Sequence, residues 1–147
     1  QWEQQWEQQW EQQWEQRQRY DQQVQWQWQR DDGIKQSKKI GKFFLKNEIK
    51  IDKVLSSEWC RCKDTAKFAF KEYIVFDALN SFYDPRFRKN KSTQIKKLKD
   101  YIINWNGQKN LVLITHFVVI SEVLNTASDS GEIIISDKEF NIIARIK

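Results

Sequence analysis

The chain has 147 residues, a formal net charge of +5, and a composition that is 39% hydrophobic and 31% charged. That length suits one domain, and with no apolar run near the ~20 residues of a membrane-spanning helix, neither a transmembrane span nor a signal peptide is expected. Cys60 and Cys62 are two residues apart and point to nearly opposite sides of a helix, and no other cysteine completes a zinc site, so neither a metal nor a cofactor is expected.

In chain order, the first feature is a compositional break. Residues 1–33 contain no lysine and no isoleucine, hold six of the eight tryptophans and carry a net charge of −4; the remainder carries +9 and is rich in Lys, Ile, Asn and Phe. The break places a domain boundary near residue 30, with 1–30 a low-complexity Gln/Trp/Glu segment, helical or disordered and of artificial character, and 31–147 a folded domain. Residues 1–16 are four copies of Gln-Trp-Glu-Gln, with Trp2, Trp6, Trp10 and Trp14 recurring every four residues. Gln and Glu favour helix, but a four-residue step drifts about 40° per repeat, so the indole stripe is too oblique for a lasting coiled-coil seam. Exposed, it predicts self-association. Val24-Gln25-Trp26-Gln27-Trp28 then alternates with period two, as an amphipathic strand does.

From Asp31 onward, strands and helices alternate. Asp31 or Asp32 caps a helix with a buried stripe of Ile34, Ile40, Gly41, Phe44 and Leu45, and with Lys35, Lys38, Lys39 and Lys42 facing water. A strand over 51–55 ends in Ser56-Ser57. A helix over 58–71 turns Trp59, Cys62, Ala66, Ala69 and Phe70 inward. Residues 73–78 read as a strand, and 80–90 as a loop holding the only proline, Pro85. A helix with Ile95, Leu98, Ile102 and Trp105 on one face stops at Gly107. The apolar run Leu111-Val112-Leu113-Ile114 leads through Thr115 to His116, the only histidine, and reads as a buried parallel strand. A helix over 118–125 and an antiparallel pair, 132–136 with 140–146, close the chain. The pattern predicts a three-layer α/β domain whose mostly parallel sheet is flanked by helices.

Ligands in such sheets bind outside the carboxyl ends of the strands. His116 stands at one such end; its alternatives are a site residue or a satisfied strand-end histidine. Ser56 and Ser57 stand at another, with Arg61 one helical turn beyond, and hydroxyls, amides and a guanidinium there make an anion pocket. A solvated helix charge is the other reading of Arg61. An imidazolium and a guanidinium around one phosphoryl group would stabilise the charge spread during its transfer.

The segment Ser56-Ser57-Glu58-Trp59-Cys60-Arg61-Cys62-Lys63-Asp64-Thr65-Ala66 resembles the "S-S-x-x-x-R-x-x-x-T-A" motif of the histidine phosphatase superfamily, the phosphoglycerate mutase-like fold. Leu111 to Ile120 followed by Ser130-Gly131-Glu132 is similar to that family's second-histidine strand, helix and closing Gly-Glu strand, and Asp32-Gly33-Ile34-Lys35-Gln36 resembles the end of its "L-S-x-x-G-x-x-Q-A" segment. Trp59-Cys60-Arg61-Cys62 and Thr115-His116 look most like the small bacterial phosphatases. Over about residues 31–147 the resemblance implies a phosphomonoesterase acting through a phosphohistidine, with His116 and Arg61 catalytic and Ser57, Arg61 and His116 around the phosphate of a phosphorylated small molecule.

Several departures accompany these matches. The family's nucleophile lies in an Arg-His-Gly at the end of a central first strand, and no residue before Asp31 is a histidine. The first central strand is therefore expected to be absent or replaced; Val24 to Trp28 has the length to fill it, at the expense of burying Gln25 and Gln27. Phe117 stands where a glycine usually follows the second histidine. Asp84 is the nearest carboxylate for a proton donor. An inactive or incomplete phosphatase domain is the expectation, with a non-catalytic anion- or nucleic-acid-binding domain and a Trp-repeat self-association module as alternatives. Lys96, Lys97 and Lys99 fall on outward helix faces, where solvation accounts for them, and no specific nucleic acid is expected. Two free thiols favour a cytoplasmic setting slightly, with export left open.

Overall fold

The computed structural model describes residues 23–28, 34–106 and 108–146. Along them run β1 (Val24–Gln27), α1 (Ile34–Lys46), β2 (Ile51–Ser56), α2 (Cys60–Phe70), β3 (Ile74–Val75), α3 (Lys91–Asn104), β4 (Asn110–Ile114), α4 (Phe117–Leu124), β5 (Ile133–Ser136) and β6 (Ile142–Ile146), with 3-10 turns at Asp77–Leu79 and Pro85–Asn90. The Trp repeat, the Asp31/Asp32 cap and Gly107 lie outside the described residues. The strands form one sheet in the order β3-β2-β4-β1-β5-β6. β3, β2, β4 and β1 are parallel; β5 runs against β1, and β6 against β5.

Side-chain alternation along the strands divides the core into two layers. On one face, Ile95, Leu98 and Ile102 of α3 and Val119, Ile120 and Val123 of α4 pack on Val24, Trp26, Leu55, Leu111 and Leu113. On the other, Ile40 and Phe44 of α1 and Cys62 and Ala66 of α2 pack on Val54, Val112, Ile114, Ile133 and Ile135. This is the expected three-layer α/β architecture. Gly41 lets α1 and α2 approach, since a Cβ there would overlap the carbonyl of Ala69.

The first central strand is replaced rather than absent. β1 lies between β4 and β5, pairing Val24 with Leu111 and Ser136, and Gln27 with Ile114 and Ile133. The folded unit thus reaches back across the compositional break at residue 30. Val24 and Trp26 are wholly buried, and the Trp26 indole donates to Ser136 Oγ at 2.8 Å. Gln25 and Gln27 occupy the opposite face and are buried as well. Gln25 Nε2 reaches Asn110 Oδ1 at 3.3 Å, but Gln25 Oε1 and both amide atoms of Gln27 have no partner.

Other expectations are adjusted locally. Leu45 is 81% exposed and Ser37 is buried in its place on the stripe of α1, while the four named lysines of that helix do face water. The strand expected over 73–78 shortens to Ile74–Val75, because the chain turns at Asp77–Leu79 to bury Ala78 and Leu79. The loop over 80–90 contains the Pro85–Asn90 turn. Near the end of the chain, Glu132 is buried and accepts from Arg145 Nε and a terminal guanidinium nitrogen at 3.0 and 2.8 Å. The same guanidinium donates to Thr126 Oγ1 and the Ala127 carbonyl, so β6 holds the loop after α4 in place.

An unpaired buried amide costs about 1–3 kcal/mol. Gln27→Leu, which keeps the volume and removes both unpartnered atoms, is expected to raise unfolding free energy by about that amount. A higher urea midpoint at unchanged slope checks this; an unchanged or lower midpoint would mean that the amide is solvated or paired in solution.

Candidate functional site

The parallel strands end at a common level, and four chain segments leave the sheet there side by side. The ladder continues past the strands: Ser57 N donates to the Ile114 carbonyl at 3.0 Å, Thr115 N to Gln27 O at 2.9 Å, and Phe76 N to Ser56 O at 2.8 Å. Thr115 Oγ1 donates to the Leu79 carbonyl at 2.6 Å, tying the end of β4 to the Asp77–Leu79 turn. Trp28, Ser57, Asn80 and His116 thereby gather at one end of the sheet.

His116 precedes α4 in extended geometry, and its carbonyl accepts from the amides of Val119 and Ile120. Its ring Nε2 lies 2.9 Å from Ser57 Oγ and 3.7 Å from Cys62 Sγ. Ser57 Oγ donates to Asn80 Oδ1 at 3.1 Å and accepts from Trp59 N at 3.2 Å. Asn80 Oδ1 also receives Glu58 N, and Asn80 Nδ2 donates to Glu58 Oε2. Cys62 Sγ donates to the Thr115 carbonyl at 3.4 Å. Ser57 Oγ and His116 Nε2 thus share one hydrogen bond whose direction follows the imidazole tautomer.

Burial pushes His116 down to about 4, and Arg61 adds to the shift; burial pushes the Cys62 thiol up to about 12 against the lowering effects of Ser57 and Arg61. At neutral pH both groups are uncharged. A cleft of about 490 Å³ opens beside them, lined by Trp28, Arg61, Ser81, His116, Phe117, Ser121, Ala127 and Ser128. Among the described residues that line it, Arg61 is the formally charged side chain and none is a carboxylate.

Of the residues expected to form a site, Arg61 and His116 share this cleft, and Ser57 is fully buried behind it, bonded to the imidazole. Asp84 is elsewhere. It caps the Pro85–Asn90 turn through the Arg86 amide and forms a two-pronged pair with the Arg86 guanidinium, which holds its carboxyl below the usual range. Trp59, expected inward, precedes α2 and is 44% exposed, its indole edge-on to His116 with centroids 5.1 Å apart. Asn80, Cys62 and Trp28 were not anticipated as neighbours of the imidazole or its cleft. Asn80 and Trp28 each follow a strand of the parallel set, and that position is the signal that marks them.

No family model matches the sequence, and no curated protein sequence does either. Solved structures match the fold. The protein histidine phosphatase SixA, determined in complex with tungstate, aligns with a TM-score of 0.64 at 14% identity, covering 84% of this chain and 96% of that one. The protein TTHB049 from Thermus thermophilus aligns at 0.63 and 13% identity over 85% and 98%. Phosphoglycerate mutase from Plasmodium falciparum aligns at 0.58 and 18% identity over 82% and 86%. The fold is therefore that of the histidine phosphatases and phosphoglycerate mutases.

The buried imidazole makes stability depend on pH in a defined direction. An unfolded histidine ionises near 6.5 and the folded one near 4, so the folded state binds fewer protons in between, and stability is lost as pH falls through that window. The unfolding free energy of the wild type relative to His116→Asn is expected to decline by up to about 1.4 kcal/mol per pH unit across it. Denaturation curves of both proteins at several pH values check this, and a flat difference would mean an unburied ring.

Proposed function

We propose that this chain is a histidine phosphatase-type domain that holds a phosphate or phosphorylated small molecule between Arg61 and His116 and does not turn it over. The observation carrying this reading is that both residues line one cleft at the carboxyl ends of the parallel strands, in the fold of SixA and phosphoglycerate mutase. Tungstate, with which SixA was determined, is a tetrahedral dianion like phosphate, and it supports oxyanion binding by a protein of this fold. Arg61 supplies a permanently charged, multi-donor group. His116 supplies a neutral imidazole that becomes a cation when a dianion stands beside it, because a neighbouring negative charge favours the protonated ring. Ser57 orients the imidazole from behind.

Turnover by the family route needs a second imidazole as nucleophile. The chain has one histidine, already bonded to Ser57, and Cys62 is a buried neutral thiol unsuited to attack on phosphorus. Among the described residues that line the cleft there is also no carboxylic acid to protonate a leaving group. Asp84 as donor would have to give up its capping bonds and its pairing with Arg86.

Calorimetric titration with inorganic sulfate, whose charge is constant above pH 4, tests the reading. Binding is expected to strengthen as pH falls from 7 to 5, to weaken by about tenfold or more in Arg61→Ala, and to lose its pH dependence in His116→Gln. Hydrolysis of p-nitrophenyl phosphate is expected to be absent; turnover abolished by His116→Ala would overturn the non-catalytic assignment, and failure to bind sulfate or phosphate would overturn the anion site.

A further inference from the structure

Resting on the phosphate reading of the cleft, we propose that its ligand class is the aryl phosphate: a phosphoryl group at Arg61 and His116, carried on an aromatic ring that packs against Phe117 and Trp28. One wall of the cleft is aromatic. Phe117 sits between two other rings, 5.5 Å from Trp28 and 5.7 Å from Tyr83 between centroids, tilted at 51° and 55°. The Trp28 indole is fixed by donation from Nε1 to Ser128 Oγ at 2.6 Å. Two of these rings are not spent on the core, Phe117 being 44% exposed and Tyr83 64% exposed, while Trp28 is half-buried against it. Phe117 and Trp28 line the same cavity as the guanidinium and the imidazole, so an apolar wall and a cationic corner face one volume.

Elementary chemistry then favours one ligand shape. Clustered exposed rings gain most from a flat apolar partner, which they contact in offset or edge-to-face geometry. An alkyl phosphate would satisfy Arg61 and leave the rings wet. An aryl phosphate satisfies both, and its ester oxygen joins the two halves at the spacing of one bond. The remaining lining residues, Ser81, Ser121, Ala127 and Ser128, are small and leave room for a ring. Phe117 also sets the wall where a glycine would leave it open.

The test is calorimetric titration of the full chain with phenyl phosphate, methyl phosphate and orthophosphate. Phenyl phosphate is expected to bind about tenfold more tightly than methyl phosphate, because of the additional ring contacts. Phe117→Ala is expected to erase that preference, bringing the phenyl and methyl esters to within about twofold of each other. Equal affinities for the phenyl and methyl esters, both weakened by Arg61→Ala, would overturn the aryl assignment while the phosphate site stands. A preference for phenyl phosphate that persists in Phe117→Ala and Tyr83→Ala would also overturn it. No binding of any of the three would overturn both.

Discussion

The architecture depends on four residues, Val24–Gln27, pairing on both sides at the centre of the sheet. Their parallel ladder to β4 and antiparallel ladder to β5 join the half that carries Ser57 and His116 to the closing pair of strands. Without them the main-chain groups of β4 and β5 would face each other across a gap, and buried backbone polar groups are rarely left unpaired. The side chains are poorly suited to the position, since Gln25 and Gln27 carry three unpartnered amide atoms between them. At about 1–3 kcal/mol per unsatisfied group that is a serious cost. It is offset by burial of Trp26, which at about 200 Å² and about 25 cal/mol/Å² contributes roughly 5 kcal/mol, and by two complete ladders. Backbone pairing and one indole outweigh two misplaced amides.

The same strand sets the geometry of the cleft. Because Thr115 N bonds to Gln27 O, the residue after β1 and the residues after β4 leave the sheet together. Trp28 consequently stands beside His116 and Phe117, and its indole closes the side of the cleft toward Ser128. The opposite side is set by β2: Ser57 bonds to Ile114 through its amide and to His116 through its hydroxyl. Arg145 completes the enclosure from a distance, since its guanidinium anchors the loop that brings Ala127 and Ser128 to the cleft. A peripheral strand thus shapes the wall of a central site.

Much of this was legible in the sequence where one force acts alone. The run Leu111-Val112-Leu113-Ile114 reads as a buried strand because both its faces meet helices, and Ile95, Leu98, Ile102 and Trp105 read as one helix face because a single stripe is buried. The apolar runs also read as strands that end before Arg61 and His116, and β2 and β4 do end there. Legibility failed where tertiary contacts override the local pattern. Trp59 has the hydrophobicity of a core residue, yet it lies before α2 against the imidazole edge. Tyr73 to Ala78 has the composition of a strand, yet Thr115 Oγ1 captures the Leu79 carbonyl and the chain turns early. The amides of Gln25 and Gln27 argue against a central strand, and only the ladders on either side explain why one forms there. Asp84, the carboxylate nearest in sequence to the expected donor position, caps the Pro85–Asn90 turn and pairs with Arg86, contacts that composition alone does not reveal.

On the proposed reading, the electrostatics of the cleft separate holding an anion from transforming it. A resting enzyme that attacks phosphorus needs a nucleophile free of strong bonds and a proton source for the leaving oxygen. Here the imidazole Nε2 is hydrogen-bonded to Ser57 Oγ, the thiol proton is held by the Thr115 carbonyl, and the formal charge among the described lining residues is one exposed guanidinium. On that same reading, a dianion that enters the site changes the balance. It relieves the burial penalty on the imidazolium by supplying the counter-charge that burial had removed, and the ring gains a proton as the ligand settles. Proton uptake and anion capture are then one coupled event. The buried imidazole, unfavourable to charge when the cleft is empty, becomes the group that makes the filled cleft neutral.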